Sequence, residues 1–459
     1  MNKGIIYATR KLRPGGLNLQ IVMKKVLIKF VLWYFRILAK IQLLKFRPVI
    51  VGVGGASGKT SLVRFVSLIL AKKYKVLETG GKNSETGIPL SILRLKMKDY
   101  TLFEWAKTIF LATFRVIFDW ERYKILVAEM GIDGPNEPKN MSYLLKILKP
   151  KIGILTNISF EHSVYFETIS RNKDKILELT SKQEALLLKA VPKDGLVILN
   201  IDDPRIKEIK GIAASKLTVS MSGVSADFFI EKIDATLKSF KVYFSFEAKK
   251  YQIKIPSLLP DHYAYSFVMA VAVGKILGVG IDESIRILEE KFLLPSGRMS
   301  VFQGKKETLI IDSSYNNATI APILDILDLL KRVSGKRRKV GIIGDMRELG
   351  VISKMYHEKL SKKILETTDL VFLVGPLMRK FVVPILLRNN HNFYNFDTFS
   401  ESRRIINEKI KKRDVILVKS SQNTLFLERA VEMLLKNPKD IKKLARRGKF
   451  WDKMRSQTL

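Results

Sequence analysis

The chain has 459 residues, of which 47% are hydrophobic, enough for two or three domains with full cores. It contains no cysteine, which excludes disulfides, thiolate metal sites and cysteine catalysis and suits a cytoplasmic protein. The formal net charge is +37, from 81 basic and 44 acidic residues. This excess favours anionic partners such as nucleotides, nucleic acid or a membrane surface, although a lysine-rich proteome would explain it equally well.

Residues 1–48 form a basic segment for which we predict an amphipathic helix. Lysine and arginine interrupt its apolar stretches, so it is neither a signal peptide nor a membrane span. Four of its cations share one helical face: Lys25, Lys29, Arg36 and Lys40. Either residues 21–47 lie on the inner face of an anionic membrane, or the helix packs its apolar side on the domain that follows. We favour packing.

A phosphate-binding loop follows this segment. The apolar run from Val49 to Val53 predicts a buried strand, and 62–70 predicts a helix. Seven residues connect the two: Gly55, Ala56, Ser57, Gly58, Lys59, Thr60 and Ser61. The N–H groups of such a turn attract phosphate, Lys59 adds charge for the β- and γ-phosphates, and Thr60 offers a hydroxyl to Mg²⁺. Val53 stands where the usual motif has glycine, so a plain glycine turn with a surface lysine is the alternative reading.

Strands and helices alternate beyond this loop, with helices predicted over 141–148 and 173–189, and this alternation predicts an α/β fold. We expect a P-loop nucleotide-binding central domain at 49–295 with a mostly parallel sheet, to which the alternating pattern of 228–255 adds antiparallel strands. Polar residues end or follow three of its strands, where parallel sheets place their sites: Glu129, Asn157 and Asn200. A hinge at 294–297 leads to a smaller Rossmann-like α/β domain at 296–435, and a basic tail closes the chain at 436–459.

Several further motifs occur in a fixed order between residues 48 and 435. They are Asn83–Leu90, Ala128–Gly131, Thr156–Ile158 with His162, Arg171–Lys173, Leu199–Pro204, Ser296–Arg298, Asp312–Asn316 and Gly344–Gly350. Together they resemble the Mur ligases, ATP-dependent amide-bond-forming enzymes of peptidoglycan synthesis and cell-wall biogenesis. The resemblance is greatest to the branch that adds D-alanyl-D-alanine to UDP-N-acetylmuramoyl-tripeptide.

The resemblance implies a magnesium site beside the phosphate-binding loop. Glu129 would bind Mg²⁺ together with Thr60, and His162 would bind a second ion. Lys173 matches the position of an N-carboxylated lysine, whose added carboxylate would serve as a further ligand, since an ammonium has no lone pair to offer. An unmodified surface lysine is the alternative. Lys59, Lys173 and His162 would be the catalytic residues.

The same resemblance implies contacts to nucleotide and substrate. Ser266 stands where the family has an asparagine that contacts adenine, which puts recognition of the base in doubt. Arg298 would approach the ATP phosphates from the second domain, and Asp312 would bind ribose. Four residues would lie near the substrate: Asn83, Glu85, Asp345 and Lys419.

These features predict an ATP-dependent carboxylate–amine ligase. A substrate carboxylate attacks the γ-phosphate to give an acyl phosphate, and an amine then displaces phosphate to form the amide. The alternatives are a non-catalytic nucleotide-binding scaffold and a basic P-loop protein that binds nucleic acid, although no known recognition motif stands out. Residues 1–48 do not resemble the domain that holds the UDP group in this family. Either that group is held differently, or the substrate differs, for example as a lipid-linked acceptor.

Overall fold

The computed structural model describes residues 19–97, 101–160, 163–223, 225–315, 320–421 and 425–456, with side chains from residue 26 onward. Within these ranges the chain forms two β-sheets covered by helices.

The larger sheet has nine strands. They are β1 Val49–Gly54, β2 Val76–Glu78, β3 Ile125–Glu129, β4 Ile152–Leu155, β5 Leu196–Asn200, β6 Ser215–Ser220, β7 Phe228–Ala235, β8 Phe240–Phe246 and β9 Lys249–Ile255. Their order is β2-β3-β1-β4-β5-β6-β7-β8-β9. The pairs from β2 to β7 are parallel, whereas β7–β8 and β8–β9 are antiparallel. This confirms the predicted mostly parallel sheet with an antiparallel extension.

Nine helices accompany this sheet in the described ranges. They are α1 Leu19–Phe46, α2 Lys59–Leu70, α3 Gly87–Ile92, α4 Leu102–Phe118, α5 Met141–Leu145, α6 Lys173–Lys189, α7 Pro204–Lys207, α8 Tyr263–Ile276 and α9 Ile281–Lys291. A 3₁₀ helix spans Ser163–Thr168. The buried side chains of α2 and α8 pack together in the main core, where the rings of Phe65 and Phe267 stack at 4.6 Å.

The smaller sheet has six strands and its own helices. The strands are β10 Ser300–Gln303, β11 Leu309–Ser313, β12 Lys339–Gly344, β13 Leu370–Val374, β14 Phe393–Phe396 and β15 Val415–Lys419. The helices are α10 Ile320–Ser334, α11 Ser353–Thr367, α12 Val383–Arg388, α13 Phe399–Lys409, α14 Glu428–Leu434 and α15 Lys449–Ser456. Shorter helical turns span Lys305–Glu307, Gly350–Ile352, Met378–Val382 and Pro438–Lys443. The order is β10-β11-β15-β12-β13-β14, parallel except for β10–β11, as the Rossmann-like prediction required.

The sequence-based expectations did not include strands β6, β10 and β14, and they also differ from the structure in helices α4 and α5. The helix predicted over 141–148 ends at Leu145, because the N–H groups of Lys146 and Ile147 bond to carbonyls three residues back and tighten the turn. Helix α4 was not predicted, and only three of its 17 residues are buried.

Polar contacts join the two α/β units near the start of α8. The Asp325 carboxylate of α10 accepts hydrogen bonds from the backbone N–H of His262 (3.0 Å) and from its Nδ1 (2.7 Å). Arg332, also on α10, forms a bidentate ion pair with Asp261 (2.6 and 3.1 Å). These contacts hold helix α10 of the second unit against the start of α8 in the first.

Candidate active site

The phosphate-binding loop connects β1 to α2 and needs glycine at two positions. Gly58 precedes the helix with φ 84°, in the left-handed region that side chains disfavour. Gly55 has φ 111°, and a Cβ there would lie 2.3 Å from Thr156 Oγ1. The loop therefore fits closely against the end of β4 and directs the N-terminus of α2 outward.

Asn157 and Glu184 hold this loop in place. Asn157 Oδ1 accepts hydrogen bonds from the N–H groups of Ala56 (3.1 Å) and Ser57 (2.9 Å). Glu184, almost fully buried on α6, accepts one from the N–H of Gly55 at 3.0 Å. Sequence reasoning marked Asn157 as a polar residue at a strand end, whereas it did not assign Glu184 to the site. The sequence pattern that could have indicated Glu184 is its position on the buried side of α6, four residues after Thr180, where an acidic residue is unusual.

The Lys59 ammonium folds back over its own loop. Its Nζ donates to the carbonyl oxygens of Gly55 (2.5 Å) and Ala56 (2.9 Å), and the side chain is largely buried. A bound polyphosphate would offer charged oxygens in place of these carbonyls, and such charge-assisted hydrogen bonds are roughly twice as strong.

Glu129 and Thr60 meet at the carboxyl ends of β3 and β1. Thr60 Oγ1 donates to Glu129 Oε2 at 2.8 Å, and Asn83 Nδ2 lies 3.4 Å from Glu129 Oε1. Gly131 leaves the room that Asn83 needs, because a Cβ there would lie 2.4 Å from Asn83 Nδ2. The sequence-predicted residues Thr60, Glu129 and Asn83 are thus brought together.

These oxygen donors fit Mg²⁺, which is usually held by one or two carboxylates together with phosphate oxygens and water. Among the described residues no group of three histidine, aspartate or glutamate side chains is arranged to hold a metal alone. Thr60 and Glu129 would therefore share the ion with nucleotide phosphates.

The remaining metal ligands stay predictions. His162 lies outside the described residues. Lys173 is exposed at the first position of α6, where Asn172 Oδ1 caps the helix by accepting from the N–H groups of Asp174 (2.9 Å) and Lys175 (3.1 Å).

A cleft of about 230 Å³ opens beside the loop. Its lining includes Thr60 and Ser61 at the start of α2 and Arg298 just before β10. Ser266 of α8 also lies against the loop, since a Cβ on Gly58 would be 3.2 Å from Ser266 Oγ. Two predicted nucleotide-binding residues, Arg298 and Ser266, therefore lie close to the glycine turn.

Asp312 and Lys419 end neighbouring strands of the smaller sheet, and both are buried. Asp312 Oδ1 accepts from the N–H (3.0 Å) and the hydroxyl (2.6 Å) of Ser314, while its buried Oδ2 has no hydrogen-bond partner among the described residues. Burial raises the pKa of Asp312. Burial, reinforced by the Arg298 charge and opposed by Asp312, lowers the pKa of Lys419 to about 7.

Asp345 and Glu85 have partly desolvated carboxylates. Asp345 follows β12, and its Oδ1 accepts from the N–H of Met378 at 2.9 Å; burial raises its pKa. Ser421, after β15, donates from Oγ to the Asp345 carbonyl oxygen. Burial likewise raises the pKa of Glu85. Asp345 is engaged with backbone groups, and its predicted role at the substrate remains a prediction.

Arg446, from the segment predicted as a basic tail, is a residue that sequence reasoning missed. Its Nη1 lies 2.7 Å from Glu428 Oε2, and both side chains are fully buried. Its Nη2 donates to the Tyr315 carbonyl at 3.0 Å, and its charge opposes the rise in the pKa of Asp312. No local signal separates this arginine from the basic residues around it.

We expect Lys419 to make stability depend on pH. Its folded pKa, about 7, lies below its ordinary value of 10.5, so between these values the unfolded chain holds a proton that the folded chain has released. The contribution of Lys419 to the free energy of unfolding therefore rises as the pH increases from about 7 to 10.5. The free energy of unfolding of Lys419→Met should exceed that of the wild type by the largest amount near about pH 6. This difference should shrink towards about pH 9. Thermal melts of both proteins measure this; a difference independent of pH would contradict it.

The two sheets and the loop define a P-loop α/β protein whose second unit adds cationic and acidic groups across a cleft. Residues 53–274 match the Mur ligase middle domain, and residues 297–422 match the glutamate ligase domain of Mur ligases. The chain belongs to the Mur ligase family, a family of ATP-dependent ligases that use Mg²⁺.

Similar proteins agree with this assignment. The UDP-N-acetylmuramoyl-tripeptide–D-alanyl-D-alanine ligase of Buchnera aphidicola subsp. Baizongia pistaciae is 26% identical over 400 residues, 84% of this chain and 75% of that protein. The Bacillus subtilis enzyme of the same name is 22% identical over 87% of this chain and 79% of its own length. The structure of MurF ligase from Thermotoga maritima in complex with ADP aligns with a TM-score of 0.70 at 23% identity, covering 90% of this chain and 84% of that one.

Proposed function

We propose that this protein joins a carboxylate to an amine through an acyl phosphate, adding D-alanyl-D-alanine or a similar amino acid or dipeptide to a peptidoglycan precursor. The supporting observation is the Thr60–Glu129 contact at 2.8 Å beside the phosphate-binding loop. The Buchnera aphidicola and Bacillus subtilis relatives, both named as D-alanyl-D-alanine-adding ligases, supply the substrate class. We place the reaction in the cytoplasm, since it consumes ATP.

The chain's own groups perform positioning and charge neutralisation. The backbone N–H groups of the glycine turn and the Lys59 ammonium bind the phosphates, and Arg298 reaches them across the cleft. Thr60 and Glu129 would hold Mg²⁺, which would supply charge neutralisation at the phosphate oxygens. The substrate carboxylate attacks the γ-phosphorus, ADP leaves, and the amine nitrogen then attacks the acyl carbon as phosphate departs.

Asp312 and Lys419 suit binding of a charged ligand at the second sheet. The Asp312 Oδ2 atom can accept a hydrogen bond, as a ribose hydroxyl would provide. A ligand anion near Lys419 would raise the pKa of that ammonium and hold it charged at neutral pH. Asn83 and Glu85 would meet the substrate from the first unit.

A phosphate-release assay tests the proposal. With ATP, Mg²⁺, the UDP-linked tripeptide precursor and D-alanyl-D-alanine, release should require both the precursor and the amine; a lipid-linked precursor forms a second arm. Nucleotide binding without turnover in either arm would instead indicate a non-catalytic scaffold. Tight, salt-sensitive binding of DNA or RNA without ligation would instead support the hypothesis of a basic P-loop protein that binds nucleic acid.

Removing the Glu129 carboxylate should impair magnesium use. Glu129→Gln keeps the shape but loses the charge that a hard cation requires, so we expect kcat to fall by about 10²-fold or more and the Mg²⁺ concentration for half-activity to rise. Titration of Mg²⁺ in the phosphate-release assay measures both. Exposed Glu208→Gln is a matched control that should behave as wild type. An unchanged magnesium requirement in Glu129→Gln would argue against the site.

We infer further that two ions are used, the second held by His162 and N-carboxylated Lys173. Lys173→Ala should then be strongly impaired, while Lys173→Glu, which supplies a carboxylate directly, should retain more activity. Equal activity of the wild type, Lys173→Ala and Lys173→Glu in the same assay would contradict the assignment.

A further inference from the structure

We propose that the outward faces of α1 and α4 dock on the surface of an anionic lipid bilayer. This interaction goes beyond the ligase reaction and depends on the surface of the protein alone. The sequence left open whether residues 21–47 lie on an anionic membrane or pack on the following domain. The proposal adopts the membrane contact for the outward face of α1 and extends it to α4.

Helix α1 exposes an apolar stripe along one side. Its members recur at helical spacing and are 43–72% exposed: Val26, Phe30, Trp33, Ile41 and Leu44. The opposite side of the helix is buried, with Phe35 fully inaccessible. The helix thus packs on the domain, the alternative that we favoured, yet none of the described residues covers its second apolar face.

Helix α4 presents a similar stripe. Its exposed members and the tryptophan just beyond it are 49–78% exposed: Phe103, Phe110, Phe114, Ile117 and Trp120. Isolated exposed apolar residues are ordinary, but a row of large aromatic side chains on neighbouring helices marks an interaction surface.

The two helices form one structural unit. The rings of Phe35 and Trp105 lie 6.2 Å apart, and Lys45 Nζ donates to the Val116 carbonyl at 3.0 Å. The Lys45 ammonium also lies 3.8 Å from the ring centroid of Trp120. Because the helices bury their inner sides on each other, and α1 also packs on α3, no residue that the structure describes covers their apolar rows.

Charge identifies that partner. Helix α1 has six lysine or arginine residues and no aspartate or glutamate, and the one acidic residue within α4, Glu104, is buried. The cations Lys29, Lys40, Lys107 and Arg115 are exposed among the apolar rows. Aromatic residues interspersed with lysine are typical of interfacial helices on anionic lipid. Two copies meeting through this face would bring like charges together, and lysine is depleted in protein interfaces.

The mode of binding is interfacial. None of the described helices has the length and hydropathy that crossing a bilayer requires. The helices would therefore lie along the headgroup region with their aromatic side chains inserted.

Sedimentation of the full chain with vesicles tests the inference. Vesicles of equal parts phosphatidylglycerol and phosphatidylcholine should bind the protein, phosphatidylcholine alone should bind it weakly, and salt should weaken binding. The double variants Phe110→Ser/Phe114→Ser and Lys29→Glu/Lys40→Glu should each bind about tenfold less tightly or worse. Two controls on exposed positions of the second unit, Leu387→Ser and Arg404→Glu, should bind as wild type. Thermal melting confirms that each variant is folded.

Three outcomes would overturn the inference. One is a wild type that fails to bind the anionic vesicles at low salt. Another is equal binding by the wild type and both double variants. The third is a dimer without vesicle binding that Phe110→Ser/Phe114→Ser converts to monomers, which would assign this face to a second copy of the chain. None of these outcomes depends on the ligase assay.

Discussion

Lys59→Ala should abolish ATP turnover, lowering kcat on the order of 10³-fold. The ammonium is the one side-chain cation of the glycine turn itself, and in the structure it already lies over the loop, bonded to the carbonyls of Gly55 and Ala56. In the transition state it would neutralise charge on the transferring phosphoryl group. Alanine leaves the backbone N–H groups but removes that charge. Phosphate release under saturating substrates measures the loss.

The matched control is Lys72→Ala, just beyond the other end of α2, where the side chain is 55% exposed. This variant should retain wild-type kcat. Melting curves of both variants separate a catalytic defect from a folding defect. Turnover in folded Lys59→Ala within a few-fold of wild type would show that the glycine turn is not the phosphate site.

Arg446→Met should destabilise the second α/β unit by about 3–5 kcal/mol, because it leaves the fully buried Glu428 carboxylate without its charge partner. Asp312 would lose the same favourable charge. Trp451, whose ring lies 6.4 Å from Phe426, reports on unfolding of this region by fluorescence once Trp33, Trp105 and Trp120 are replaced by phenylalanine. Since a chain of two α/β units need not unfold in one step, the transition seen by that tryptophan is the relevant one.

The double variant Arg446→Met/Glu428→Leu should recover most of the loss, since replacing both members of a buried ion pair with apolar residues is often neutral. Arg404→Met is the control: it removes an exposed ion pair with Glu408 and should cost less than about 1 kcal/mol. An Arg446→Met transition unchanged from wild type would contradict the assigned role of the buried pair.

Local patterns were sufficient for most of the strands, for the glycine turn and for the polar strand ends, but they did not indicate β6, β10 or β14. Apolar runs bounded by glycine or polar residues define β1, β3 and β13, and helix α6 has the predicted limits because Asn172 caps it and Lys189 ends its amphipathic pattern. Glu129 was found because parallel strands place their carboxyl ends at one edge of the sheet.

Contacts between distant parts of the chain had no such local signal. Gly55 and Glu184 are 129 positions apart, and Arg446 of the predicted basic tail pairs with Glu428 at the start of α14, 18 positions before it. The pairing of His262 with Asp325 joins the two units and depends on how they dock. Long-range contacts of this kind are fixed by the tertiary fold rather than by a short motif.

Helix α4 and the outer side of α1 show a different limit. Sequence periodicity assumes a single apolar stripe that faces the core. Phe110 and Phe114 are apolar yet exposed, and Phe30 and Trp33 lie outward while Phe35 is buried. A helix that is apolar on two sides gives no clear periodicity, so the pattern did not show which side packs.

Isotope transfer from the substrate carboxylate to phosphate tests the central claim most directly. With ¹⁸O in the carboxylate of the tripeptide precursor, and with ATP, Mg²⁺ and D-alanyl-D-alanine present, mass spectrometry should find one ¹⁸O atom in each released phosphate and an amide product that has lost one label. Unlabelled phosphate, or phosphate released regardless of the amine, would contradict a ligase that works through an acyl phosphate.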